Sequence, residues 1–193
     1  MNLRYRIPEG KKVVLSARHL IRRKGIFDFL SLAEKCRTFY FSGLEAGGGN
    51  SWILPRDVKR AIRQKPENVR FAGYVEPGKL KEAYCGADAF AFFSQEETEG
   101  IVVLEALACQ APVVVRDIPV YRDWLMDGVQ VCKAVSLEEF QEKLQMIFSK
   151  DCSAQTAAGR KRAEEHGMIP TGMRLNIIYQ VESLGRGSKR WRY

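Results

Sequence analysis

The sequence predicts an α/β fold in which a parallel sheet carries helices on both faces. Short apolar runs recur along the chain, and each is followed by a segment with helical spacing. Two of the runs, DAFAFFS (88–94) and APVVVRD (111–117), have almost no polar interruption, as strands covered on both faces by crossover helices do. The 193 residues are 46% hydrophobic and 28% charged, enough to bury a real core and too apolar for a disordered chain.

The elements follow in order. KKVVLSA (11–17) reads as the first strand, and GIFDFLSLAEKC (25–36) as a helix with one apolar face. TFYFSG (38–43) is the second strand; LEAGGGNSWILP has no period and reads as a loop. RDVKRAIRQK (56–65) is a polar surface helix, VRFAGYV (69–75) a third strand and PGKLKEAYCGA (77–87) a helix. After the buried strand at 88–94, GIVVLEALACQ (100–110) is a helix and 111–117 a strand. IPVYRDWLMDG (118–128) reads as a short helix or turn and VQVCKA (129–134) as an edge strand. In SLEEFQEKLQMIF (136–148), Ser136 followed by Glu138 and Glu139 marks a helix N-terminus. Residues 1–150 thus form one sheet domain, 151–185 are expected to be helices packing on it or on a further domain, and 186–193 form a basic tail. In such folds ligands bind beyond the carboxyl ends of the strands, where the strand order reverses.

Several function classes lose support at once. No apolar run approaches the roughly 18 residues of a membrane span, and the start MNLRYRIPEGKK lacks the apolar stretch of a secretory leader. Five scattered cysteines without a C-x-x-C pair read as small core residues in a reducing compartment. With only His19 and His166 beside them, no metal site is expected. Gly47, Gly48 and Gly49 lack the Lys-Ser/Thr ending of a phosphate loop, and no G-x-G-x-x-G follows the first strand. Ser16 and the cysteines lack a base at motif spacing, so a covalent hydrolase has little support. Thirty-one Lys and Arg against 23 Asp and Glu give a net charge of +8, which calls for an anionic partner. Residues 1–24 carry eight basic residues against one acidic, and 56–70 carry six against two. No nucleic-acid recognition motif accompanies them, so nucleic acid is not expected; an anionic membrane surface is the better match, while SKRWRY with its Trp191 reads first as a loose tail and second as an interfacial anchor.

The chemistry concentrates in SQEETEGIVVLEALACQAPVVV (94–115), where Glu97 and Glu105 are separated by seven residues and Gly100 opens a helix straight after a buried strand. A helix N-terminus behind a glycine offers unpaired N–H groups and a positive dipole end to a phosphate. Glu105, among apolar neighbours, can accept from both hydroxyls of a sugar diol; a solvent-facing residue is the alternative. The pattern suits a nucleotide sugar or a dinucleotide.

These residues resemble the E-x7-E motif of the retaining GT-B glycosyltransferases of family 4, also called group 1. SARHLIRRKGIFDFL resembles that family's G-R-x5-K-G segment, and NVRFAGYVEPGKLKEAYCGADAFAFFS its V-x-F-x-G strand and following helix. The stretch from Ser94 to Gly128 is similar to bacterial diacylglycerol glucosyltransferases. The resemblance covers about residues 8–150 and implies a Rossmann-like sheet, one half of a GT-B fold. It implies that Arg18 and Lys24 bind the donor diphosphate, that Glu97 contacts the transferred sugar, that Gly100, Ile101 and Val102 turn over the phosphates, and that Glu105 grips the ribose. Gly73, Tyr74 and Val75, with Leu80, would wall the base. No metal or other cofactor is implied. Two departures stand out: Glu96-Glu97-Thr98-Glu99 crowds extra acids before Gly100, and Ala17 replaces the usual glycine before Arg18.

The implied function is the donor-binding domain of an enzyme that moves a hexose, glucose from UDP-glucose being the expected case, to a lipid such as diacylglycerol. The residues themselves leave UDP, GDP and ADP, and glucose and galactose, open. The acceptor half is expected outside this chain, so the domain alone would transfer poorly. The implied place is the cytoplasm, at the inner face of a bacterial membrane. The alternative is a non-catalytic module that binds nucleotide or anionic membrane.

Overall fold

A computed structural model describes residues 10–17, 19–45, 54–75 and 77–167. Arg18, the loop with Gly47 to Gly49, the expected helices at 168–185 and the tail at 186–193 lie outside the described residues. The strands are β1 (Val13–Ala17), β2 (Tyr40–Glu45), β3 (Val69–Tyr74), β4 (Ala89–Phe92), β5 (Val113–Arg116) and β6 (Cys132–Ala134). The helices are α1 (Ile26–Lys35), α2 (Arg56–Arg63), α3 (Pro77–Gly86), α4 (Ile101–Ala108), α5 (Leu137–Ser149) and α6 (Ser153–Glu165). All six strands are parallel, in the order β3-β2-β1-β4-β5-β6. The chain therefore moves outward from β1 to β3, crosses back through α3, and moves outward again from β4. The reversal falls between β1 and β4, where Val14 pairs with Ala89 and Leu15 with Phe90.

The two-residue period of a strand divides the core cleanly. Val13, Leu15, Ala17, Phe90, Phe92, Val113 and Val115 face one layer with Tyr84 of α3, Val103 of α4 and Ala163 of α6. Val14, Ala89, Ala91 and Val114 face the other with Phe29 of α1, Val58 of α2 and Phe140 of α5. Ser136 caps α5 as its sequence predicts, accepting from Glu139 N at 3.2 Å.

The segment after β5, read as a short helix or turn, forms a 3-10 turn, Pro119–Tyr121. Two details differ from the sequence reading. Asp127, Gly128 and Gln130 tie the chain back before β6: Gly128 N donates to Val131 O at 2.8 Å and Lys133 N to Asp127 Oδ1 at 2.7 Å. The same tie shortens the edge strand to three residues. Of the five cysteines, Cys36 and Cys132 are buried, but Cys85 is exposed, since it lies on the outer face of α3. Among the described residues no helix is long and apolar enough to cross a membrane.

Candidate functional site

The site begins with two loops at the carboxyl ends of the strands flanking the reversal. After β1 the chain makes a 3-10 turn, Arg22–Lys24, and Gly25 then swings it into α1 with φ 75°. A Cβ on Gly25 would lie 2.4 Å from Phe93 O, so the turn presses on the end of β4 as only glycine allows. The loops are laced further: Gln95 N donates to Arg23 O at 2.9 Å, and Ser94 Oγ to Glu96 O at 2.8 Å. This packing delivers Lys24 to Glu97. Their Nζ and Oε1 atoms are 2.5 Å apart, with side chains only 13% and 10% exposed. Lys24 Nζ also donates to Glu96 O at 3.4 Å.

Gly100 precedes α4 with φ 72°, and no side chain caps that helix. Its first N–H groups, which no carbonyl of the helix can reach, are left at a pocket of about 190 Å³ lined by Lys24, Glu97, Gly100, Ile101 and Val102 together with His19. Two sequence-assigned glutamates thus separate in role: Glu97 faces this pocket beside the N-terminus of α4, while Glu105 lies farther along the helix and accepts from Tyr84 Oη at 2.9 Å. Burial, then the Glu105 charge and this hydrogen bond, push the Tyr84 hydroxyl far above its ordinary titration range. Tyr84 therefore serves as a donor to a carboxylate that the apolar helix would otherwise leave bare.

The assigned residues Gly73, Tyr74, Val75 and Leu80 do not line the pocket. Val75 and Leu80 are buried in the same core layer as Tyr84, while Tyr74 is exposed and Gly73 has φ 71° with open space around it. The structure brings Lys24, Glu97, Gly100, Ile101 and Val102 together; Arg18 is not described. Among the described residues no three His, Cys, Asp or Glu gather as metal ligands.

Residues 4–165 match the glycosyl transferases group 1 family. The chain belongs to that family. Among group 1 relatives, it is 36% identical over 171 residues to the processive diacylglycerol alpha-glucosyltransferase of Acholeplasma laidlawii, covering 89% of this chain and 51% of that protein. It is 33% identical over 118 residues to the alpha-galactosylglucosyldiacylglycerol synthase of Streptococcus pneumoniae, covering 60% of this chain and 31% of that protein. The chain thus spans about half the length, or less, of these curated relatives. The group 1 fold is also seen in sucrose-phosphate synthase from Thermosynechococcus elongatus, with a TM-score of 0.81 at 18% identity over 96% of this chain and 49% of that one. Anabaena HepE in complex with UDP and glucose matches with a TM-score of 0.73 at 16% identity, over 90% and 48% of the two chains.

Two tyrosines escaped the sequence reading. Tyr84 and Tyr121 carry no motif of their own: Tyr84 meets Glu105, and Tyr121 meets Gly100, only through the fold. An aromatic followed by small residues at the end of α3 gives no signal beyond core packing.

Proposed function

We propose that this chain is the donor-binding half of a retaining glycosyltransferase that moves glucose from UDP-glucose to a lipid acceptor such as diacylglycerol. The observation that carries the reading is the convergence of Lys24, Glu97 and the uncapped N-terminus of α4 on one pocket at the reversal of strand order. A pocket of about 190 Å³ is smaller than the roughly 300–1,000 Å³ that encloses a small-molecule ligand, so the donor is covered on its other side by groups beyond these residues. Those groups hold the acceptor, and this half alone transfers weakly or not at all.

Breaking the bond between sugar and phosphate leaves negative charge on the diphosphate. Lys24 and the N–H groups of Ile101 and Val102 lie at the pocket to receive it, and donors aimed at developing charge lower such a barrier. Glu97 then faces the transferred sugar, Glu105 the ribose diol with its free oxygen, and the surface of Val75, Leu80 and Tyr74 the base. The names of the two relatives, a diacylglycerol alpha-glucosyltransferase and an alpha-galactosylglucosyldiacylglycerol synthase, support the lipid acceptor. Arg56, Arg60 and Arg63 line one open side of α2 with Lys59, and cations near anionic lipid gain about 1 kcal/mol each. That face holds the domain against the inner leaflet of the membrane.

Thermal unfolding tests the donor site. UDP and UDP-glucose raise the melting temperature of the wild-type chain, and Glu105→Ala removes the shift. Unchanged UDP binding by Glu105→Ala sinks the assignment. Salt-sensitive binding to anionic vesicles without any response to nucleotide favours the non-catalytic membrane module instead.

A further inference from the structure

Tyr121 ends the 3-10 turn after β5 and is wholly buried. Its backbone is fixed from three sides: Tyr121 N donates to Ile118 O at 3.1 Å, and its carbonyl accepts from Leu125 N at 3.0 Å and Lys133 Nζ at 3.2 Å. Its ring packs edge-on against Trp124 with centroids 5.7 Å apart. Among the described residues, the hydroxyl at the end of this rigid assembly has no hydrogen-bond partner. It lies against Gly100, where a Cβ would come within 2.7 Å of the oxygen, and it feels the Glu97 charge. A buried donor is costly to leave unmade, and this one is placed at the glycine that opens α4.

The Lys24–Glu97 pair explains what such a donor is for. In this pocket Lys24 satisfies Glu97 Oε1. An anion bound at the N-terminus of α4 competes for Lys24, and a nearly buried carboxylate that loses its cation needs another partner. We propose that Tyr121 is a positioning residue: its hydroxyl takes the Glu97 carboxylate when the diphosphate of the donor draws Lys24 away, and so holds Glu97 toward the sugar. The proposal rests on the donor-site reading above. It makes ligand binding an exchange of partners rather than the breaking of a pair, and it accounts for both the orphaned hydroxyl and the glycine beside it.

Calorimetric titration of the full chain with UDP, combined with thermal unfolding of the empty protein, provides the test. Tyr121→Phe keeps the ring and removes the hydroxyl. The empty variant is expected to be as stable as wild type or more so, because an unpaired buried group has gone, while its affinity for UDP falls about ten-fold, the scale of one hydrogen bond to a charged group. In a Glu97→Gln background the same change is expected to alter affinity less than two-fold, because the carboxylate it serves is absent. Wild-type affinity in Tyr121→Phe overturns the proposal, and so does an equal ten-fold loss in the Glu97→Gln background. A less stable empty Tyr121→Phe assigns the hydroxyl a plain structural role and overturns it too. Failure of the wild-type chain to bind UDP overturns the donor-site reading itself, and this inference with it.

Discussion

Tyr84 donates its hydroxyl to Glu105 Oε2 at 2.9 Å, joining α3 to α4 across one core layer. The bond fixes which way the Glu105 carboxylate points and occupies only one of its oxygens. Tyr84→Phe is expected to lower stability by roughly 1.5–3 kcal/mol, the range for a hydrogen bond to a charged group, and to weaken UDP binding because Glu105 loses its fixed rotamer. Denaturant unfolding and calorimetry measure the two effects; stability equal to wild type would show the bond to be idle.

Lys24 and Glu97 are unequal partners. Lys24→Met strands a nearly buried carboxylate and is expected to cost about 3 kcal/mol, the lower end for breaking a buried pair. Glu97→Gln releases Lys24 instead, so the neutral variant is expected to bind UDP several-fold more tightly than wild type while contributing nothing to sugar transfer. Weaker UDP binding by Glu97→Gln would contradict the competition between carboxylate and phosphate.

Two glycines share a left-handed backbone but not an environment. Gly73, with φ 71°, has open space where a Cβ would go, so Gly73→Ala is expected to cost only about 1–2 kcal/mol of backbone strain. Gly25, with φ 75°, would put its Cβ 2.4 Å from the Phe93 carbonyl oxygen, a contact with backbone that no rotamer relieves. Gly25→Ala is therefore expected to unfold at markedly lower denaturant than Gly73→Ala and to separate Lys24 from Glu97. Equal midpoints for the two variants would refute the close packing of the loops.

Alkaline pH acts on the thiols. Burial, with help from Cys85, raises Cys109 from its ordinary 9.0 to about 11, and burial likewise raises Cys36, Cys132 and Cys152. The folded state holds these protons more tightly than the unfolded chain, so their contribution is fully present below pH 9.0 and, for Cys109, is lost as pH climbs through about 11. Melting temperature should fall more steeply over that window in wild type than in Cys109→Ser. Parallel slopes for the two proteins would remove Cys109 from the account.

The sheet was readable from the sequence because its central strands are apolar on both faces: Val13 to Ala17 and Ala89 to Phe92 are buried along their whole length. The approximate place of the candidate site was readable for a related reason, since Gly100, with a φ of 72°, closes the loop that joins the buried strand to the next helix. What stayed hidden was pairing across distance. Lys24 and Glu97 were each assigned to a ligand, yet they hold each other across 73 positions of sequence. Tyr84 and Tyr121 were hidden as well, for an aromatic residue in an apolar stretch looks the same whether its hydroxyl has a task or not. The edge strand was overextended, read from Val129 where it begins at Cys132, because nothing local announces the tie between Asp127 and Lys133 that delays it.

Gly159 on α6 meets Leu107 of α4 so closely that a Cβ would lie 2.7 Å from Leu107 Cδ2, and Arg162 Nε donates to Trp124 O at 2.7 Å. A boundary drawn at residue 150, where the alternation of strands and helices stops, would cut through this joint. The sheet and α6 pack together, because the helix that bears Glu105 has one side closed by a segment the sheet pattern does not count.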